Sequence, residues 1–353
     1  MTSMAWQGIE GHDAIAAEFA TAHARGRVAG SYLFIGPPGV GKGTFAKRLA
    51  KALTCAAPQP GFVACDACAS CVQAEAGSHP DIDVVQKPED RATIPLEALI
   101  GDADHRMREG LCWRLLLKPT VAGRKVAVIL DADLLSEESA NCLLKTLEEP
   151  PPEAVIILVG TALERQLPTI RSRCRIVRFR PLAADGVARV LAAEQAAGQI
   201  APARLQECAA GAEGSLERAR LLLDDDLMAF RGQMLRALGT RPLHGVDLCR
   251  DVLALVDAAG KEAPPRRARL RIVLEFALEF FRAALRHCTT GEPPTDPALA
   301  TAVSAWQGDA DMVAAGIAQT LDAIDGIDRN ANLTILVDAW TALLEEPRLA
   351  QSP

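Results

Sequence analysis

The 353-residue chain carries 38 Lys and Arg against 45 Asp and Glu, a net charge of −7, and 49% of its residues are hydrophobic. That balance excludes nucleic-acid binding through bulk charge, so any DNA contact must come from a local patch or from partner chains. The length allows two or three domains with cores of their own. The longest apolar runs, 126–130 and 154–159, are strand-sized and too short for a bilayer, so no membrane contact is expected. Residues 1–10 show no basic stretch followed by an apolar core, so no secretion signal is expected. Ten cysteines in such a chain point to a reducing cytoplasm and to metal binding over disulfides.

The first half alternates short apolar runs with helical patterns, which predicts a parallel α/β sheet. Strands are expected at 31–35, 82–86, 125–130 and 154–160. The first leads into Gly36-Pro37-Pro38-Gly39-Val40-Gly41-Lys42-Gly43, which opens a helix striped by Phe45, Leu49 and Leu53. This is the context of a Walker A loop, where backbone N–H groups cradle phosphates, Lys42 reaches the outer ones and the helix dipole favours the anion. Gly36, Gly39, Gly41, Lys42 and Thr44 are therefore the candidate contacts for ATP or ADP. The competing reading is a tight strand-to-helix connection without a ligand. A Ser or Thr should follow the lysine to hold Mg²⁺, but Gly43 stands there, and Thr44 lies roughly 100° around the helix axis.

Next comes Cys55, followed by Cys65-x2-Cys68-x2-Cys71. Four thiols on one short segment suit a tetrahedral Zn²⁺, structural because no position is left for a catalytic water. An iron–sulfur cluster and a redox CxxC are the alternatives. The other six cysteines are scattered and read as core packing. His79, before Pro80, reads as a turn residue, and Asp102, Asp104 and His105 as a solvated polar stretch.

A helix is predicted from the spacing of Ala140, Leu143, Leu144 and Leu147, with Ser136 as N-cap and Pro150-Pro151-Pro152 as its stop. Beyond Pro181 no strands are expected. A short helical region runs to about 225, and an all-helical block follows. Its clearest stripes are Leu270, Val273, Leu274, Ala277, Phe281, Ala284 and Leu285, then Leu333, Leu336, Val337, Trp340, Leu343 and Leu344. Arg266, Arg267, Arg269 and Arg271 read as a solvated basic face, with a DNA or partner contact as the alternative. The expected domains are 1–180 with a zinc module at about 55–71, a small helical lid at 181–225 and a helical collar at 226–353.

Taken together these residues resemble the bacterial clamp-loader branch of AAA+ proteins. Ser136-Glu137-Glu138-Ser139-Ala140-Asn141-Cys142-Leu143-Leu144-Lys145-Thr146-Leu147-Glu148-Glu149-Pro150-Pro151 is similar to that family's helix after Walker B. Ser172-Arg173-Cys174 matches its Ser-Arg-Cys motif, and the four-cysteine insertion is a family trait. Within the family the choice lies between the ATP-hydrolysing gamma/tau motor and the delta-prime type, weak or inactive as an ATPase. Gly43 lacks the metal hydroxyl. Aligning Leu134-Leu135-Ser136 puts Leu130 at the Walker B Asp and Asp131 at the catalytic Glu. A second register makes Asp131 the metal ligand and leaves Ala132 for the Glu; either way one acid is missing. After Gly214-Ser215-Leu216, Glu217 stands where the sensor 2 arginine belongs, with Arg218 one place late. Ser78-His79-Pro80-Asp81 also looks like the delta-prime type, and the motor's long tail is absent.

The resemblance then implies a subunit without ATPase activity of its own, in a ring-like arc with gamma/tau motor and delta subunits that loads a sliding clamp onto primed DNA. It implies Arg173 as an arginine finger acting in trans on a neighbour's ATP, the alternative being a surface arginine that caps a helix or pairs with an acid. Thr161 is similar to the family's sensor 1. Two other functions compete: an active gamma/tau-type or remodelling AAA+ ATPase, and a small-molecule kinase, for which Gly43-Thr44 is the best argument.

Overall fold

The computed structural model describes residues 6–345 apart from 89, 90, 92, 107, 122, 196–199 and 295. The chain divides into two compact units, Met1–Arg220 and Leu221–Pro353. The first opens with α1 (Asp13–Ala24), β1 (Ser31–Ile35), α2 (Lys42–Thr54), α3 (Ala69–Glu75) and β2 (Ile82–Val85). It continues with α4 (Leu96–Ile100), α5 (Gly110–Leu116), β3 (Lys125–Ile129), α6 (Glu137–Glu148) and β4 (Ala154–Gly160). Then come α7 (Pro168–Arg171), β5 (Arg175–Arg178), α8 (Ala184–Glu194), α9 (Pro202–Gly211) and α10 (Leu216–Leu222), within which the unit boundary falls.

All five strands are parallel, in the order β2-β3-β4-β1-β5. Alternation along β1 sends Tyr32 and Phe34 to one face, with Phe19, Phe45 and Leu49, and Leu33 and Ile35 to the other, with Ile129, Leu143 and Leu147. Both faces are covered, which is why the central strands read as unbroken apolar runs. Because every strand runs the same way, the loop after β1, the turn after β3 and the end of β4 meet at the carboxyl edge, where α/β sheets bind ligands.

Four strands lie where the apolar runs predict them, with β2 and β3 each ending one residue sooner. The fifth, Arg175–Arg178, was not expected. It is an edge strand paired only to β1 and mostly exposed, so its two arginines stay in water and only Ile176 and Val177 carry an apolar signal. Around α6 the sequence logic holds: Ser136 Oγ accepts the Ser139 N–H at 3.1 Å. Asp102 accepts from His105 on the exposed surface, as a solvated stretch should.

The second unit, as far as it is described, contains α11 (Asp225–Gly239), α12 (Gly245–Ala258), α13 (Ala263–Thr290), α14 (Pro297–Ala305), α15 (Ala310–Asp328) and α16 (Leu333–Glu345). The α13 stripe is buried around Phe280 and Phe281, and Gly316 lets α15 approach where a Cβ would strike the Phe281 ring. Trp340 of α16 is buried and donates Nε1–H to Thr320 Oγ1 at 3.2 Å. The basic start of α13 is an ion-paired face: Arg266 meets Asp257, Arg269 meets Asp224 and Arg271 meets Asp328. Among the described residues no helix is long and apolar enough to cross a membrane.

Candidate functional site

The phosphate-type loop links β1 to α2, and Gly39 and Gly41 hold it in left-handed conformations, with φ of 73° and 89°. Its lysine is turned onto its own loop. Lys42 Nζ donates to the carbonyls of Gly36 and Pro37, both at 2.6 Å. Burial pulls the Lys42 pKa down, while the negative charges of Asp133 and Glu217 push the other way. From outside, His12 donates Nε2–H to the Val40 carbonyl at 2.8 Å, packed edge-on against Phe179. The start of α10 lies on the loop too: Leu216 N–H reaches the Gly39 carbonyl at 2.8 Å. A side chain at Gly39 would run into Ser215 and Glu217. The acid Glu217 thus stands beside the loop where an arginine would attract phosphate.

Opposite the missing metal hydroxyl the chain is apolar. A Cβ on Gly43 would meet Leu130 Cδ2 at 3.2 Å, so Gly43 faces a leucine. Thr44 is exposed, and so is Asp131, with a left-handed φ of 54°. The acid that does act here is Asp133, which sequence reasoning passed over. Its Oδ2 accepts both the N–H and the hydroxyl of Thr161 at 2.6 Å, and its Oδ1 accepts from Gln166 Nε2. The register set by Leu134-Leu135-Ser136 points to Leu130 and Asp131 instead. The available signal was a second acid, two residues after Asp131 and ahead of the polar end of β4.

His12 supplies a pH test. Burial holds its pKa below the usual histidine value, so the unfolded chain binds the proton more readily between the two values. The stability that neutral His12 supports is therefore present above pH of about 6.5 and is lost as pH falls towards the lower folded value. The melting temperature should drop on acidification from pH 7.5 to 5.5, and less so in His12→Gln. An equal pH slope in both proteins would remove His12 as the cause.

The four cysteines converge. Cys55 caps the end of α2, Cys68 caps the start of α3, Cys71 lies in its first turn, and all four Sγ atoms lie within 4.8 Å of one another. Backbone N–H groups already point at sulfur: Cys65 N to Cys55 Sγ at 3.3 Å, and Cys68 N to Cys65 Sγ and Cys71 N to Cys68 Sγ at 3.4 Å. Burial opposes ionisation of Cys68, but N–H groups of Ala56 and Cys71 outweigh it and bring its thiol down to about 6. Burial and the neighbouring thiols push Cys71 up to about 12. Such a cluster can hold one metal ion in an all-sulfur shell, and four sulfur ligands so close together fit zinc. The buried Lys51 ammonium ties Asp66, inside the cysteine turn, and Glu75, at 2.6 and 2.7 Å.

His79 does more than make a turn. It is buried, its Nδ1 accepts the Asp81 N–H at 3.0 Å, and its Nε2–H faces Ser70 Oγ at 2.8 Å; Ser70 donates on to the Thr54 carbonyl at 2.7 Å. It thereby joins α3, the end of α2 and the start of β2. Asp81, fully buried, accepts from the Thr120 and Val121 N–H groups at 2.8 Å and from Lys125. These are structural ties, distant from the loop chemistry.

Arg173 sits between α7 and β5. Its Nε and Nη2 both donate to Glu148 Oε2 at 3.1 Å, and its Nη1 donates to the Thr169 carbonyl at 3.1 Å. It pairs with an acid on the surface, with the Arg173 side chain 29% and the Glu148 side chain 59% exposed.

The sequence profile of a family described as "DNA polymerase III, delta subunit" matches residues 11–183. The chain is 29% identical to the DNA polymerase III subunit delta' of Escherichia coli (strain K12) over 306 residues, covering 85% of each protein. It is 34% identical to the delta' subunit of Pseudomonas aeruginosa over 150 residues, covering 42% of this chain and 43% of that one. It is also 31% identical to the gamma/tau subunit of Mycobacterium tuberculosis over 260 residues, covering 71% of this chain and 43% of the relative. The solved structure of a gamma subunit-related protein from Thermotoga maritima aligns over 96% of this chain and 99% of its own, at 15% identity and a TM-score of 0.38.

Proposed function

The chain belongs to the DNA polymerase III clamp-loader family, in its delta-prime branch, and from that premise we propose that it hydrolyses no ATP and assists hydrolysis next door. The observation that carries this reading is the pairing of Gly43 with Leu130. In a working P-loop the corresponding two positions offer a hydroxyl and a carboxylate to one Mg²⁺. Here they offer no oxygen at all. Glu217 adds a negative charge beside the loop, and Lys42 gives two of its three donors to its own loop's carbonyls. Phosphoryl transfer rests on positioning and charge stabilisation, so these substitutions act on the same step. Gly36, Gly39, Gly41, Lys42 and Thr44 keep the loop's outline, and any ATP or ADP held there is a structural ligand.

Arg173, on this reading, supplies charge in trans. It reaches the γ-phosphate of ATP bound by a gamma/tau-type neighbour, where a planar guanidinium matches anionic oxygens better than an ammonium does. Cys55, Cys65, Cys68 and Cys71 hold a structural Zn²⁺ that keeps the insertion folded. The segment 181–225 acts as the lid and 226–353 as the collar of a ring with motor and delta subunits, which places the sliding clamp on primed DNA.

The test is steady-state hydrolysis by the isolated chain at saturating MgATP, beside a Lys42→Ala control. The expected result is no turnover above that control. A clear Lys42-dependent rate would make this chain an ATPase and end the proposal.

A further inference from the structure

Six arginines lie between positions 165 and 180: Arg165, Arg171, Arg173, Arg175, Arg178 and Arg180. Among the described residues only Arg173 has an acidic partner. That partner, Glu148, is the last residue of α6, immediately before the stretch that leads to β4. Its single oxygen Oε2 takes both Nε and Nη2 of the guanidinium, while Nη1 reaches the Thr169 carbonyl and, at 3.4 Å, Ser172 Oγ. These bonds use four of the five N–H groups of the fork, so its plane is fixed from two sides by different elements.

Two physical facts decide what such an arrangement does. The pair is exposed, and exposed pairs contribute little to stability, so Glu148 is no structural anchor. A long arginine side chain otherwise samples many rotamers, and holding it in one removes part of the entropy cost of its next contact. A carboxylate with one charge yields readily to a triphosphate with several. Glu148 is thus strong enough to orient the guanidinium and weak enough to release it.

We propose that Glu148 is a positioning residue for Arg173, keeping the guanidinium in the orientation from which a neighbouring subunit's γ-phosphate takes it over. The proposal rests on the trans role given to Arg173 above. Glu148 touches no phosphate itself and acts only through the arginine. Its removal should lower the rate of the chemical step at the neighbour's site and leave ATP affinity there unchanged.

The experiment measures kcat and KM for ATP in the reconstituted, DNA-stimulated complex built with wild type, Glu148→Gln, Glu148→Asp, Arg173→Ala or the Glu148→Gln/Arg173→Ala double variant. Glu148→Gln should lower kcat at the affected site by up to about fivefold, the upper end of what an exposed ion pair contributes, with KM unchanged. Glu148→Asp should restore part of the loss, because the charge returns on a shorter stem. The double variant should be no slower than Arg173→Ala alone, since the glutamate has nothing left to position. An unchanged rate in Arg173→Ala would remove the trans role itself and this inference with it. A loss in Arg173→Ala together with an unaffected Glu148→Gln would overturn the inference alone. So would a Glu148→Gln loss that persists undiminished when Arg173 is already alanine.

Discussion

Replacing Arg173 with alanine should slow hydrolysis at one motor site of the assembled complex by about 10³-fold or more, the usual weight of an arginine finger. The chain itself should barely notice. Its one ion pair at that position is exposed, worth under about 1 kcal/mol, so melting temperature, metal content and assembly should stay as in the wild type. Arg173→Lys should recover only part of the rate, because the ammonium keeps the charge but loses the planar fork. The readout is single-turnover hydrolysis in complexes of equal composition, where one of the motor sites should drop out of the fast phase. A fast phase of full amplitude with Arg173→Ala would leave the residue as an ordinary surface arginine.

The second large effect belongs to the cysteines. Purified protein should carry one zinc per chain, and Cys68→Ser should abolish it. Structural zinc sites contribute about 10–16 kcal/mol of apparent binding free energy in small modules, and zinc on these four cysteines would hold α3 against the end of α2. Amide exchange in 55–76 should therefore rise sharply on loss of the metal, while β3 and β4, buried on both faces, keep their protection. An iron chromophore, or full protection of the insertion in a metal-free protein, would contradict the assignment. Hydrolysis by the assembled complex should change little, because four protein ligands leave the ion no open position.

Most of the fold could be read from the sequence because its signals were strong and local. The central strands are buried on both faces and therefore appear as apolar runs. The cysteines share one segment, and the glycines of the loop sit where left-handed backbone requires them. What escaped was non-local or partial. Strand β5 carries arginines at both ends because it borders water, which erased its apolar pattern. Asp133 became important only once the turn after β3 set it against Thr161, at a separation of 28 residues. Glu148 meets Arg173 across 25 residues, and no periodicity within α6 marks it. The leucine facing Gly43 had a place in one of the two registers, but only the packing of β3 beside α2 shows the two residues together.

One measurement bears most directly on the claim that this subunit gives catalysis without performing it. DNA-stimulated ATP turnover is compared in complexes that differ only in this chain, carrying Lys42→Ala or Arg173→Ala. The expected result is an unchanged rate with Lys42→Ala and the loss of one motor site with Arg173→Ala. The reverse pattern, a loss with Lys42→Ala and none with Arg173→Ala, would contradict it.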